Sequence, residues 1–149
     1  MSIIGAEIVG ARVLDLFAGS GALGLESLSR GAAVAEFVEI SARSLTALRE
    51  NAATLGAGER AIIHRGEAVK FVSALGAGAF DVAFADPPYR LGLGAAIVER
   101  WRAVPFAGLL SVEHAMDEEM PDGGATRRYG STGITFYRAT GDEGGGTGE

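Results

Sequence analysis

Val13-Leu14-Asp15-Leu16-Phe17-Ala18-Gly19-Ser20-Gly21-Ala22-Leu23-Gly24 reads as an apolar strand with one acid inside it, then a glycine turn, then the start of a helix. Gly19, Gly21 and Gly24 form a G-x-G-x-x-G pattern. Glycine suits such a turn because the chain must bend tightly and let a ligand approach its backbone with no Cβ in the way. Glu39 ends the next apolar run, twenty residues after Gly19. A carboxylate there can accept both hydroxyl protons of an adenosine ribose. A strand before, a helix after and an acid at that distance favour a nucleoside-cofactor site over an ordinary strand-to-helix turn. Asp15 points to S-adenosylmethionine over a dinucleotide, because a carboxylate beside the loop suits the ammonium and sulfonium of the methionine portion and repels a pyrophosphate. The alternative is that Asp15 is a buried structural cap on the loop.

Outward from this block, strands and helices alternate. Strands are predicted at Arg12–Phe17, Val34–Glu39, Ala61–His64, Asp81–Ala85, Gly108–Glu113 and Thr132–Arg138. Helices are predicted at Ala22–Ser29, Ala42–Leu55, Glu67–Leu75 and Leu93–Arg102, the second with Ser41 as N-cap and Gly56 as its stop. Such alternation builds βαβ units with right-handed crossovers, hence a Rossmann-like, doubly wound and mainly parallel α/β sheet. The last third departs from the pattern. Arg127–Tyr129 and Thr132–Arg138, separated at Gly130, read as a C-terminal antiparallel hairpin on one edge. Residues 1–139 are expected to form one domain, with residues 140–149 a disordered glycine- and acid-rich tail.

A second element carries chemistry. Asp81-Val82-Ala83-Phe84-Ala85 runs straight into Asp86-Pro87-Pro88-Tyr89. The two prolines fix two φ angles and hold Asp86 extended, so the direction of the acid is set before a ligand arrives. In a doubly wound sheet this corner lies at the carboxyl edge of a central strand, beside the glycine loop. The arrangement suits methyl transfer to an exocyclic amine of a planar base. Such an amine is a poor nucleophile because its lone pair is conjugated into the ring. Accepting its two N–H bonds at the Asp86 carboxylate and the Pro87 carbonyl pulls the nitrogen toward tetrahedral geometry. Tyr89 offers a flat face on which the base can stack.

Composition bounds the alternatives. The 149 residues carry 13 Lys plus Arg against 19 Asp plus Glu, a formal charge of −6, and no cysteine. Disulfide scaffolds, thiolate metal sites and cysteine nucleophiles are thereby excluded. No run approaches the ~20 apolar residues of a membrane span, and the start lacks a basic signal-peptide region, so the expected address is the cytoplasm with no membrane partner. The acidic balance argues against a broad basic footprint for nucleic acid.

The block Val13–Ala32, the tetrapeptide Asp86–Tyr89 and the late Tyr129-Gly130 together resemble the bacterial small-subunit (16S) ribosomal RNA guanine-N2 methyltransferases, a family of class I S-adenosylmethionine-dependent enzymes. The likeness runs from about residue 8 to residue 138. It implies a seven-stranded sheet with a reversed last strand. It also implies that Asp15, Gly19 and Gly21 line the methionine end, that Glu39 holds the ribose and that Glu67 lies near the adenine amine, with Phe17, Ile40 and Ala68 also among the expected cofactor-binding residues. Glu67 stands where the family usually has aspartate, which lengthens that arm by one carbon. Asp86, Pro87, Pro88 and Tyr89 take the target-amine roles. The implied partner is small-subunit ribosomal RNA or an assembling small-subunit particle, with the enzyme a monomer. The family usually begins with a basic, arginine-rich segment ahead of Ile3-Ile4-Gly5. No such stretch precedes those residues in this sequence, and the expectation is a start further upstream or a reduced form.

The alternatives are a DNA adenine or cytosine amino-methyltransferase, and a NAD-type dinucleotide-binding oxidoreductase that leaves Asp86–Tyr89 without a role. His64 and His114 read as structural, Trp101 as core, and Phe17 as core or pocket wall. Arg90, Arg127 and Arg128 are the candidates for phosphate contact, with solvated surface arginines the commoner outcome. Asp117-Glu118-Glu119 reads as a solvated loop.

Overall fold

Short β-branched and aromatic runs alternating with helical stretches give a layered fold because each strand can bury both faces only when helices cover the sheet on either side. The computed structural model describes residues 5–140. In chain order the elements are α1 (Gly5–Ile8), β1 (Arg12–Leu16), α2 (Ala22–Ser29), β2 (Val34–Glu39), α3 (Ala42–Leu55), β3 (Ala61–Arg65), α4 (Ala68–Ser73), β4 (Phe80–Ala85), α5 (Leu93–Ala103), β5 (Ala107–Ala115), β6 (Ala125–Tyr129) and β7 (Thr132–Arg138). The seven strands form one sheet in the order β3-β2-β1-β4-β5-β7-β6. The first five are parallel, and β7 runs antiparallel between β5 and β6.

The order reverses at β1, where the chain leaves for β2 on one side and returns to β4 on the other. Such a reversal opens a crevice at the carboxyl ends of the two central strands. One face of the sheet packs Leu14, Leu16, Ala83 and Leu110 against Val72 of α4 and Ile97, Val98 and Trp101 of α5. The other packs Val13, Phe37, Val82, Phe84 and Leu109 against Ile8 of α1, Leu28 of α2, and Leu45 and Leu48 of α3. Trp101 is core, as its helical spacing suggests: its indole N–H donates to the Ala107 carbonyl at 2.8 Å and its ring tilts against Tyr137.

The predicted caps of α3 are present. The Ser41 hydroxyl accepts the Ser44 N–H at 3.3 Å, and Gly56 ends the helix in a left-handed conformation. Helix α4 is shorter than the periodicity suggests. It starts at Ala68, and Glu67 sits extended at the cap position with no side-chain capping bond. The short α1 has no signal in the sequence; its Glu7 accepts a two-pronged ion pair from Arg138 of β7 at 2.9 and 2.8 Å. The expected disordered tail, apart from its first residue, falls outside the described residues.

Candidate active site

Side chains two apart on a strand share a face, and in-register neighbours on adjacent strands project to the same side. Asp15 on β1 is in register with Phe37 on β2 and Phe84 on β4, and Phe84 is in register with Ser111 on β5. Glu39, Asp86 and Glu113 each stand two residues beyond one of those partners. Three carboxylates, from β2, β1 and β5, therefore lie on one face of the sheet toward its carboxyl rim, and Asp86 stands beside them one residue past the end of β4. The two widely separated motifs meet here, at the crevice the topology predicts.

Each acid has a distinct environment. Asp15 is 3% exposed, and its carboxylate accepts the Gly24 N–H at 3.0 Å, three residues into the glycine loop's helix. Burial, with added repulsion from Asp86 and Glu39, pushes its pKa up to about 7 against the opposing pull of the Gly24 bond. Glu39 is tied to three backbone N–H groups, those of Gly19 at 2.7 Å, Ile40 at 3.1 Å and Ser41 at 2.8 Å. It thus clamps the glycine loop to the end of β2. Asp86 opens to solvent at the mouth of the crevice. Its partial burial, and then the nearby Glu113 carboxylate, raise its pKa above the ordinary range. Pro87 behind it is buried.

The three glycines do different jobs. Gly19 turns with φ 59°, and a Cβ there would meet open space. Gly21 has φ 89°, and a Cβ would lie 2.2 Å from Leu48 Cδ1. At Gly24 a Cβ would lie 2.3 Å from the Phe37 ring. Only Gly19 therefore leaves its Cβ position free for a ligand, whereas Gly21 and Gly24 are needed for close packing of α2 on the sheet and α3.

Beside the loop lies a cavity of about 380 Å³ lined by Phe17, Val38, Glu39, Ile40, Gly66, Glu67, Ala68, Val69, Pro88 and Leu93. Five of the expected cofactor residues, namely Phe17, Glu39, Ile40, Glu67 and Ala68, lie on its wall. Phe17 is both pocket wall and core neighbour, held with φ 59° in the left-handed region where a bulky residue is strained. Asp15, Gly19 and Gly21 are not on that wall, and Asp15 has the bonding of the structural cap that its burial also allows. Val38, Gly66, Val69 and Leu93 line the cavity without having been singled out from the sequence. Apolar walls with one acid toward β2 and another at the start of α4 are a lining that could hold a nucleoside.

Tyr89 is anchored at the rim: its hydroxyl donates to Glu113 Oε2 at 3.3 Å and lies 3.2 Å from Thr132 Oγ1. Arg90 is not a free cation for phosphate. Its guanidinium pairs with both oxygens of Asp117 at 2.8 and 2.9 Å, which also ties down the acidic loop read as merely solvated. Arg127 and Arg128 stand exposed on the outermost strand. His64 bonds Glu36 at 2.7 Å and His114 bonds Thr135 at 2.7 Å, both in structural roles.

The buried Asp15 makes stability depend on pH. A carboxyl whose folded pKa is raised from 3.8 to about 7 keeps its proton in the native state while the unfolded chain has released it. Its contribution is then fullest below about pH 4 and is lost as pH rises through 7. Asp15→Asn, which keeps an acceptor for the Gly24 N–H, is expected to melt higher than the parent at pH 8 and to close that gap toward pH 4. Parallel melting curves of the two proteins against pH would count against the assignment.

A reversed seventh strand, a glycine loop clamped by the acid of the next strand, and an adenosine-sized cavity at the switch point define the fold of the class I, S-adenosylmethionine-dependent methyltransferases. Within that class the chain belongs to the family described as "Conserved hypothetical protein 95", whose model matches residues 1–138. A relative from Bacillus subtilis, "Putative rRNA methyltransferase YlbH", is 32% identical over 151 residues, covering 94% of this chain and 82% of that protein. "Ribosomal RNA small subunit methyltransferase D" of Escherichia coli is 45% identical over 86 residues, 58% of this chain and 42% of that protein. Among solved structures, "Putative methyltransferase yhhF from Escherichia coli" superposes with a TM-score of 0.79 at 33% identity, covering 92% of this chain and 80% of that one. No helix among the described residues is long and apolar enough to cross a membrane.

Proposed function

We propose that this protein transfers a methyl group from S-adenosylmethionine to the exocyclic N2 amine of a guanine in small-subunit ribosomal RNA, on naked RNA or on an assembling particle. The observation that carries the reading is the placement of Asp86 on the same rim as the glycine loop, one strand away from Asp15 and beside the adenosine-sized cavity. The names of the relatives supply the RNA class. Residues 1–139 act as one catalytic unit, monomeric and working where ribosomes are assembled, in the cytoplasm.

When bound, the cofactor supplies an electrophilic methyl on a sulfonium that leaves as a neutral thioether. Glu39 and Ile40 hold its ribose, Glu67 and Ala68 border its adenine, and Phe17 closes the apolar wall between. Gly19 leaves room for the methionine end, and Gly21 shapes the turn beside it. Asp15, behind the loop, holds it through the Gly24 N–H, and a cationic methionine end beside it would favour the ionised form of this raised-pKa carboxyl. On the acceptor side, Asp86 and the Pro87 carbonyl each accept one N–H of the amine, which turns its lone pair toward the methyl. Pro88 stiffens the corner, and Tyr89, tethered through its hydroxyl, gives the base a stacking surface. The methylated nitrogen sheds a proton, and an Asp86 carboxylate of raised pKa is a better acceptor for it than an ordinary surface acid.

The test is incubation with methyl-labelled cofactor and unmethylated small-subunit RNA or particles, followed by digestion to nucleosides. The expected product is N2-methylguanosine. Label recovered on adenosine or cytidine instead, or cofactor binding with no transfer to guanine, would overturn the assignment of the acceptor.

A further inference from the structure

Beyond Asp86 the acidic row has one more member, Glu113. It stands on β5, the strand next to β4, and continues the register that pairs Ala85 with Val112. Adjacent strands are about 4.8 Å apart, so two acids at neighbouring rim positions can both reach one edge of a single base. Glu113 lies on the side of Asp86 away from the cofactor cavity, since β1 and β2 flank β4 on its other side. Its Oε2 accepts the Tyr89 hydroxyl, while its Oε1 accepts no hydrogen bond from the described residues. The carboxylate is thus held in place by the stacking residue with one oxygen free at the acceptor site.

A guanine lying on Tyr89 with its amine at Asp86 can present either of the two ring nitrogens that flank that amine, N1 or N3, toward β5, and of these only N1 bears a hydrogen. In adenine and cytosine the nitrogen beside the amine is a bare lone pair. A carboxylate can only accept, so it rewards the first and repels the second.

We propose that Glu113 is a specificity-determining residue whose free Oε1 accepts the N1–H of the target guanine, so that two carboxylates on adjacent strands read its two neighbouring donors. The inference rests on the guanine-N2 reading above. Glu113 forms no bond to the transferred methyl and takes no proton in the reaction; it selects which base can sit with its amine at Asp86. The adenine and cytosine alternatives are disfavoured because each would bring a ring lone pair against a negative oxygen. The electrostatic coupling between the two acids fits this placement, since Glu113 raises the pKa of Asp86.

Glu113→Gln is the informative variant, because its carboxamide still offers an oxygen to Tyr89 but can turn an N–H toward an unprotonated ring nitrogen. Once the accepting guanine has been located by sequence-specific nuclease mapping of the labelled RNA, short RNAs carrying guanine or 2-aminopurine at that position are compared. The second base keeps the amine and lacks the N1 hydrogen. The parent protein is expected to favour guanine by roughly tenfold or more in kcat/KM, and Glu113→Gln to reduce that preference to near parity. S-adenosylhomocysteine affinity should be unchanged in the variant, and the acid limb of its pH–rate profile should move to lower pH, because a like charge beside Asp86 is gone. An unchanged preference for guanine in Glu113→Gln would overturn the proposal while leaving the guanine-N2 reading intact. A parent protein that methylates no guanine would remove that reading and this inference with it.

Discussion

Asp86→Ala is expected to lower methyl transfer by about a thousandfold or more while leaving S-adenosylhomocysteine affinity within about threefold. The cavity wall proposed to hold the nucleoside comes from β2, the start of α4, Phe17, Pro88 and Leu93, and does not include the Asp86 side chain. Loss of the carboxylate would therefore remove the group proposed to orient the amine without touching the proposed cofactor contacts. Asp86→Asn should fall between the two, since a carboxamide oxygen still accepts one N–H but carries no charge and takes no proton. In the parent, the rate should fall on acidification at a pH above the ordinary carboxylate range, because the working form is ionised and its pKa is raised. Single-turnover rates and equilibrium binding, measured side by side, check this. Equal turnover in parent and Asp86→Ala would remove Asp86 from the chemistry.

The second large effect is on stability. Gly21→Ala must place a methyl 2.2 Å from Leu48 Cδ1 while holding a left-handed φ of 89°. Leu48 is fully buried between α3 and the sheet, so it has little room to withdraw. Overpacking and backbone strain together should cost about 2–4 kcal/mol, or a drop in melting temperature of roughly 6–12 °C for a domain of this size. Gly19→Ala should cost only about 1 kcal/mol, since its Cβ would face open space. Its methyl would instead intrude on the methionine end of the site, so cofactor affinity should fall while the melting point barely moves. Thermal melts and cofactor titrations of the pair separate these two roles, and similar losses of stability in both variants would refute the division.

What could be read from the sequence follows from how local each signal is. The five parallel strands and the helices between them announce themselves through short apolar runs and caps such as Ser41 and Gly56, all decided within a few residues. That Gly19 and Glu39 belong to one site was also legible from their spacing, but the bond from the Gly19 N–H to the Glu39 carboxylate was not, since the acid reads from the sequence only as a ribose acceptor. The position of β7 between β5 and β6 was not, since hydrogen-bonding order among strands is a long-range choice that no window of sequence encodes. The tether from Tyr89 to Glu113 and Thr132 spans 24 and 43 residues and depends on that order. Glu113 accordingly read only as the end of an apolar strand. Arg90 looked available for phosphate because its partner Asp117 lies 27 residues on, in a loop whose path is set by β5 and β7. Asp15 shows a different limit: an acid in that place can cap the loop or face a ligand, and the Gly24 bond and the burial that let it act as a cap are long-range facts that no window of sequence carries.

Among the described residues the outermost strand, β6, bonds only to β7, and it is exposed along its whole length. An unpaired row of backbone donors and acceptors of that kind is a template onto which another polypeptide could add, the route to fibres and insoluble multimers. Arg127 and Arg128 sit in the middle of it, and only five residues separate the bend before Ala125 from the turn at Gly130. Two adjacent positive charges on so short a border disfavour the docking of an identical copy along it.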